Sequence, residues 1–298
     1  MSTLLGSIII SVSNDNRIQR CLDSLVNQSI DRQNYEIIVV ENGSHELEDI
    51  CKKYNALYVF SPKANMPAAR NAGLKLAQSN NILFTDADCV AENTWIEKMI
   101  CHLENSSEKI AGVGGKIKRY KPSTDVELYG GNLVDGQDNL NYLPILNLPY
   151  IATANSAFKK NILIEVQGFD DELRSGNDVD ICYKIGLCGY ELDICNSAII
   201  YHENRKTAVA HYKRFYRYAF YQVLLFKKYK HIHKKDFSFN IYPYECFKKA
   251  ILMLPSILKH SLKNDLSLFW ISYFLIIEGM GVLIGDISGS FKFRVIYL

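Results

Sequence analysis

"NILFTDADCV", residues 81–90, is an apolar run that stops at two carboxylates, Asp86 and Asp88, with only Ala87 between them. A run of this kind reads as a buried strand. In an extended backbone residues i and i+2 point the same way, so both carboxylates can address one site at the strand's carboxyl end. Two anions so placed repel each other unless a hard divalent cation, Mn²⁺ or Mg²⁺, offsets them; such ions are typically held by one or two carboxylates together with substrate phosphates. The pair would equally serve to end a strand and to cap the helix that starts near Trp95.

On either side of this stretch the chain alternates strand and helix patterns. "SIIISV" (7–12) and "YEIIVV" (35–40) are β-branched runs, and "ALYVF" (56–60) is a third strand. Between them Ile18, Leu22, Leu25 and Val26 fall at helical spacing with Asn14 or Asp15 as cap, and residues 45–54 form a short polar helix. Pro67 can open a helix over 67–79, another covers Trp95 to His102, and a strand follows near 111–118. This alternation predicts an α/β fold, a mostly parallel sheet flanked by helices, with ligands beyond the carboxyl ends of its strands. Three polar clusters fall there: "SND" (13–15), "ENGS" (41–44) and "DAD" (86–88). Residues 120–150 read as a loop-like insertion able to cover a pocket, and 168–194 as a turn, a helix over about 177–188 and a closing Gly189.

A chain of 298 residues with 48% hydrophobic content is ample for a folded core and is not disordered. Its formal charge of +2 conceals an asymmetry, because Arg205 to Lys263 carries 14 Lys and Arg against only Asp236 and Glu245. That segment is made to meet anions. The eight cysteines include no CxxC pair and no zinc-like spacing with His, which points to a reducing cytosol. The apolar run from Leu4 to Val12 lacks a basic leader and a small-residue cleavage site, so it reads as a strand and not as an export signal.

The motifs together resemble the family 2 glycosyltransferases of GT-A fold. "SIIISVSN" is similar to that family's first strand, with Ser11 and Ser13 in place of its Pro and Tyr, and "EIIVVENGS" (36–44), "NMPAARNAG" (65–73) and Asp-X-Asp follow in order. "GFDDELRSGNDVDICYKIGLCGY" (168–190) and then "IIYH" (199–202) resemble its acceptor-side motif, with Asn177 where Glu is usual. The resemblance implies a GT-A catalytic domain over 1–204, with a nucleotide-sugar half to about 118 and an acceptor half from about 119. It implies a metal-dependent inverting enzyme that moves a sugar from a nucleotide-diphosphate sugar, expected to be a UDP-sugar, to a glycan or glycolipid hydroxyl in cell-surface polysaccharide synthesis.

Carried over position by position, the resemblance makes Asp88 the ligand of Mn²⁺ or Mg²⁺, joined by His202, which can also be structural. Asp86 would contact the ribose, or the metal through water, Glu41 the base in place of the usual Asp, and Arg70 the donor's nucleotide or phosphates; Arg70 also reads as a helix-surface residue. Ser13 and Asn42 would line the nucleotide. Asp178 would be the catalytic base, although "SGND" (175–178) also reads as a capping box with Ser175 as N-cap. Asn155, with Asn177, would contact the acceptor, or Asn155 would serve only a backbone turn.

Two other classes compete: a sugar-1-phosphate nucleotidyltransferase, and a membrane-bound scaffold that binds nucleotide sugars without turnover. The first would carry a glycine-rich loop after strand one, and "SVSNDNRIQR" (11–20) has no glycine.

Residues 205–298 read as a basic, aromatic and apolar helical extension. "HYKRFYRYAFYQVLLFKKYK" (211–230) sets Tyr212, Tyr216, Ala219, Phe220, Val223 and Leu224 on one helical stripe flanked by Lys and Arg, suited to an anionic membrane surface or to plain packing. No nucleic-acid motif accompanies it. "LSLFWISYFLIIEGMGVLI" (266–284) is just long enough to cross a bilayer but contains Glu278, so lying on the membrane, spanning it and packing within the protein or against another copy all stay open. The expected location is cytoplasmic, at the inner face of the membrane.

Overall fold

The structure is a computed structural model that describes residues 4–130, 136–234, 237–261 and 265–297. The chain divides into two compact units: residues up to 120 with 135–202, and a second unit of 121–134 with 203–298. The described part of 121–134, expected within the acceptor half, therefore groups with the C-terminal helices.

In the first unit, β1 (Gly6–Val12), α1 (Ile18–Val26), β2 (Tyr35–Glu41), α2 (Glu48–Lys53), β3 (Leu57–Phe60), α3 (Met66–Leu76) and β4 (Asn81–Asp86) alternate as the sequence predicts. β5 (Cys89–Ala91), α4 (Trp95–Asn105) and β6 (Ile110–Arg119) follow. In the second unit α5 (Asp125–Tyr129) is a short helix capped by Thr124, whose hydroxyl accepts from the Glu127 amide at 3.2 Å. Back in the first unit come the small hairpin of β7 (Asn141–Tyr142) and β8 (Pro149–Tyr150), then β9 (Asn155–Lys159), α6 (Lys160–Glu165), α7 (Asn177–Leu187) and β10 (Glu191–His202).

Eight strands form one sheet in the order β3-β2-β1-β4-β9-β6-β10-β5. β1, β2, β3 and β4 pair in parallel, as do β6 and β10, while β9 runs antiparallel between β4 and β6 and β5 antiparallel to β10. The isoleucines 8, 9 and 10 are all fully buried, which is why this run forms a central strand covered on both faces. α3 lies close against it: a Cβ on Gly73 would stand 2.6 Å from Ile9 Cγ2, so only glycine allows that approach. Asn65 caps α3 by accepting from the Ala68 amide at 2.8 Å, one position ahead of the expected start.

The parallel strands bring the ends of β1, β2 and β4 to one rim, with Val12 opposite Glu41 and Ser11 opposite Asp86. β10 reaches the same region from the other side of the sheet through a register shift between Cys195 and Ile199 that carries His202 beside Cys89 and Arg119.

The second unit is built on α8 (Ala208–His233), which is followed by β11 (Phe237–Ser238), α9 (Tyr242–Leu252), α10 (Leu254–Ser261), α11 (Ser267–Phe293) and β12 (Ile296–Tyr297). α11 is longer than the apolar stretch 266–284, and by length and composition it can cross a membrane, with a mean hydropathy of 1.9. Gly281, Gly285 and Gly289 turn it onto α8; a Cβ at Gly285 would lie 2.5 Å from the Tyr216 carbonyl. The α8 stripe expected around Tyr212, Tyr216 and Phe220 thus meets α11 through its backbone, and the residues α8 buries most fully include His211, Phe215, Ala219, Val223 and Phe226. The acids of α11 face inward: Glu278 accepts from Tyr242 at 3.2 Å and bonds His211 at 2.9 Å, and Asp286 accepts from Asn240 at 2.9 Å. Its outer face is apolar, with Phe269, Tyr273, Ile276, Met280, Ile284, Ile287 and Phe291 all exposed.

Candidate active site

The Asp-X-Asp stretch turns out of the sheet between β4 and β5. Asp88 is 8% exposed and touches two nitrogen partners: Arg17 Nη2 lies 3.4 Å from its Oδ2, and His202 Nε2 lies 3.5 Å from its Oδ1. Asp86 is half-buried and accepts from Arg70 Nη2 at 3.0 Å. Burial raises the Asp86 pKa, Arg70 pulls it back, and the Asp88 carboxylate raises it again. The repulsion that the sequence implies is therefore present, and among the described residues the Arg17 and Arg70 guanidiniums oppose it.

Arg70 joins the two halves of the site. It is 4% exposed, so it is no helix-surface residue. Its Nη1 donates to Asn177 Oδ1 at 2.5 Å while Nη2 holds Asp86, and its guanidinium stacks over the Phe169 ring at 5.7 Å. Asn177, in place of the family's Glu, supplies a neutral acceptor here and leaves the Arg70 charge to Asp86 and to whatever anion approaches.

Asp178 stands next to Asn177 in the first turn of α7. The capping-box reading of "SGND" does not hold: the N-cap is Gly176, in the left-handed region at φ 71°, and no side chain caps the helix. Asp178 Oδ1 accepts only the adjacent Val179 amide, at 3.0 Å, among the hydrogen bonds described. Burial raises its pKa above the usual carboxylate range, Arg70 and the backbone amides lower it in part, and the Asp86 charge raises it again. A half-buried carboxylate with a raised pKa and few donors is a competent proton acceptor. Through Arg70 the end of β4 that carries Asp86 is joined to the first turn of α7, where Asn177 and Asp178 lie.

Glu41 ends β2 fully buried. Its carboxylate accepts from the His45, Glu46 and Leu47 amides and from the Tyr58 hydroxyl, at 3.0, 3.3, 3.1 and 2.9 Å. These four donors occupy it with fixing the 42–47 loop. Asn14 Oδ1 accepts from the Ser44 amide at 2.6 Å, and the Asn42 amide donates to the Val12 carbonyl at 2.9 Å, tying that loop to the end of β1. Ser13 is exposed on the same rim and Asn42 is buried.

Asn155 lies elsewhere. It is fully buried on β9, accepts the Trp95 indole N–H at 2.7 Å and donates to the Lys116 and Ala198 carbonyls at 2.9 and 3.1 Å. With its amide so used it ties α4, β6 and β10 together, which fits the structural alternative expected for it. A cavity of about 790 Å³ opens between α4 and β10, lined by residues such as Lys98, His102 and Asp193 and by none of the candidate site residues.

Donor chemistry fits a divalent cation at Asp88. A carboxylate oxygen of Asp88, the Cys89 sulfur and a His202 nitrogen lie within 4.8 Å of one another, and His202 Nδ1 is buried with no hydrogen-bond partner. Cys89 and Arg17 were not among the residues expected from sequence. Cys89 follows Asp88 directly, but it meets His202 only through β5–β10 pairing, and Arg17 reaches Asp88 only through loop folding, so local spacing signals neither meeting.

The profile of the family described as "Glycosyl transferase family 2" matches residues 7–167, and the chain belongs to that family: it is a glycosyltransferase. Among curated relatives, Glycosyltransferase AglE of Haloferax volcanii is 26% identical over 210 residues, 67% of each chain. The Pre-mycofactocin glycosyltransferase of Mycobacterium tuberculosis is 26% identical over 57% of this chain, which spans only 37% of that relative. The Poly(ribitol-phosphate) beta-glucosyltransferase of Bacillus spizizenii is 34% identical over 40% of this chain and 22% of its own. Of solved structures, the mannosyltransferase PcManGT from Pyrobaculum calidifontis, in complex with GDP-Man and Mn²⁺, superposes with a TM-score of 0.61 at 15% identity, covering 98% of this chain and 88% of its own. The fold is of the GT-A type.

Proposed function

We propose that this glycosyltransferase is a metal-dependent inverting enzyme that transfers a hexosyl group from a nucleotide-diphosphate sugar to a hydroxyl of a glycan or lipid-linked acceptor. The observation that carries the reading is the Arg70 bridge, one guanidinium bonded to Asp86 on the donor side and to Asn177, beside Asp178, on the acceptor side. In this reading Arg70 faces the donor phosphates, Asp86 contacts the ribose, and Ser13 and Asn42 line the nucleotide. Glu41 acts from beneath by holding the loop that the base meets. Asp178 accepts the acceptor's proton while its oxygen attacks the anomeric carbon, and the bond to the nucleotide diphosphate breaks on the opposite face. Asp88 and His202 would hold Mn²⁺ or Mg²⁺, which when bound supplies Lewis acidity that offsets charge on the leaving diphosphate.

The same reading sets the enzyme on the inner face of a membrane, with the acceptor presented there. The exposed apolar stripe of α11 and the basic residues of 205–263 support an in-plane contact with an anionic bilayer. The inward acids of α11, already partnered within the second unit, favour lying on the surface over crossing it.

A thermal-shift screen of UDP- and GDP-sugars with and without Mn²⁺ tests the proposal. A donor should raise the midpoint more with the ion than without it, and Asp88→Ala should remove the metal-dependent part. Nucleotide release with transfer to an acceptor is expected. Binding without release would make the chain a scaffold and overturn the reading.

A further inference from the structure

Cys89 has no part in the reaction proposed above, yet it stands in the cation site. β5 runs antiparallel to β10 with Cys89 directly opposite His202, which sets thiol and imidazole side by side on one face of the sheet. The Cys89 sulfur lies 3.9 Å from Asp88 Oδ1, the same oxygen that is 3.5 Å from His202 Nε2. The three donor atoms lie within 4.8 Å of one another, and Cys89 is 1% exposed, so the sulfur is presented to this cluster and not to solvent. One carboxylate, one thiolate and one imidazole suit a borderline or soft cation, whereas Mg²⁺ takes oxygen donors.

We infer that Cys89 makes this site thiophilic: Zn²⁺ or Cd²⁺ binds through Asp88, His202 and the Cys89 sulfur, in preference to Mn²⁺ and Mg²⁺, and displaces the ion that supports transfer. On binding, a metal–sulfur bond forms as the S–H bond breaks, the proton passes to buffer, and no electron moves. Mn²⁺ and Mg²⁺ engage the oxygen and nitrogen donors and leave the thiol protonated. The inference rests on the glycosyltransferase reading only for the identity of the displaced ion.

The test uses Cd²⁺ on the full chain, in a Cys101→Ser, Cys188→Ser background because those two thiols are exposed. One equivalent of Cd²⁺ should produce a thiolate-to-metal charge-transfer band in the ultraviolet and release bound Mn²⁺, followed by electron paramagnetic resonance. Cys89→Ser should abolish the band and weaken Cd²⁺ binding on the order of tenfold or more. A band of full intensity in Cys89→Ser overturns the inference. If that variant does not fold, ¹¹³Cd resonance of the protein with Cys89 intact decides: a shift typical of sulfur coordination supports the site, and one typical of oxygen and nitrogen alone overturns it. Mn²⁺-dependent transfer without a cadmium–sulfur signature sinks only this inference. The signature without transfer upholds it and sinks only the function proposed above.

Discussion

At the scale of single residues, chemistry concentrates on Asp178 and Arg70. Asp178→Asn keeps size and helix position but cannot take a proton. It should bind donor with an unchanged thermal shift while transfer falls by about 10²–10⁴, the usual worth of a general base; transfer at the parent rate would show that the proton goes elsewhere. The pH dependence has a defined sign. Asp178 works deprotonated, and burial raises its pKa, so the acidic limb of the kcat profile should lie above the ordinary carboxylate range. Arg70 lowers the pKa of both Asp178 and Asp86, so Arg70→Gln should move that limb to higher pH at saturating donor. A limb that stays in place would separate Arg70 from the base electrostatically.

At the scale of elements, the sequence showed most where burial is two-sided. The β-branched runs of β1, β2 and β4 are legible because a strand covered on both faces must be apolar throughout. The direction of β9 and its place between β4 and β6 depend on long-range pairing, which local pattern does not carry. The alternatives for Asn155 stayed open in the sequence for the same reason, because its partner, the Trp95 indole, comes from a helix sixty positions away. The site carboxylates were readable because Asp86 and Asp88 share a strand end and Asp178 opens a helix. Cys89 was not, because its proximity to His202 arises from β5–β10 pairing. In α11 the glycine spacing has an energetic meaning that hydropathy alone conceals. Gly285→Val should clash with the Tyr216 carbonyl and cost about 1–3 kcal/mol, measurable as a lower midpoint in urea; an unchanged midpoint would mean that the α8–α11 approach is not tight.

On the scale of the whole molecule, two units divide chemistry from attachment in our reading. The first holds every candidate site residue, and the second holds the basic surplus and the exposed stripe of α11. Flotation with vesicles containing anionic lipid should carry the protein, and raised salt should weaken the binding. Replacing Ile284 and Phe291 with Glu should abolish flotation while donor binding by the first unit persists. Retained flotation in that variant would exclude the α11 face as the contact.

The position of β9 bears on how the chain is made. Ribosomal synthesis delivers β4 and β6 well before the strand that joins them, so the edges of both wait unpaired until residue 159 has emerged. An open edge is an invitation to wrong partners. The nascent protein is therefore exposed to misassociation midway through translation; insertion of β9 closes the gap between β4 and β6, and the far edge of β6 stays open until β10 follows.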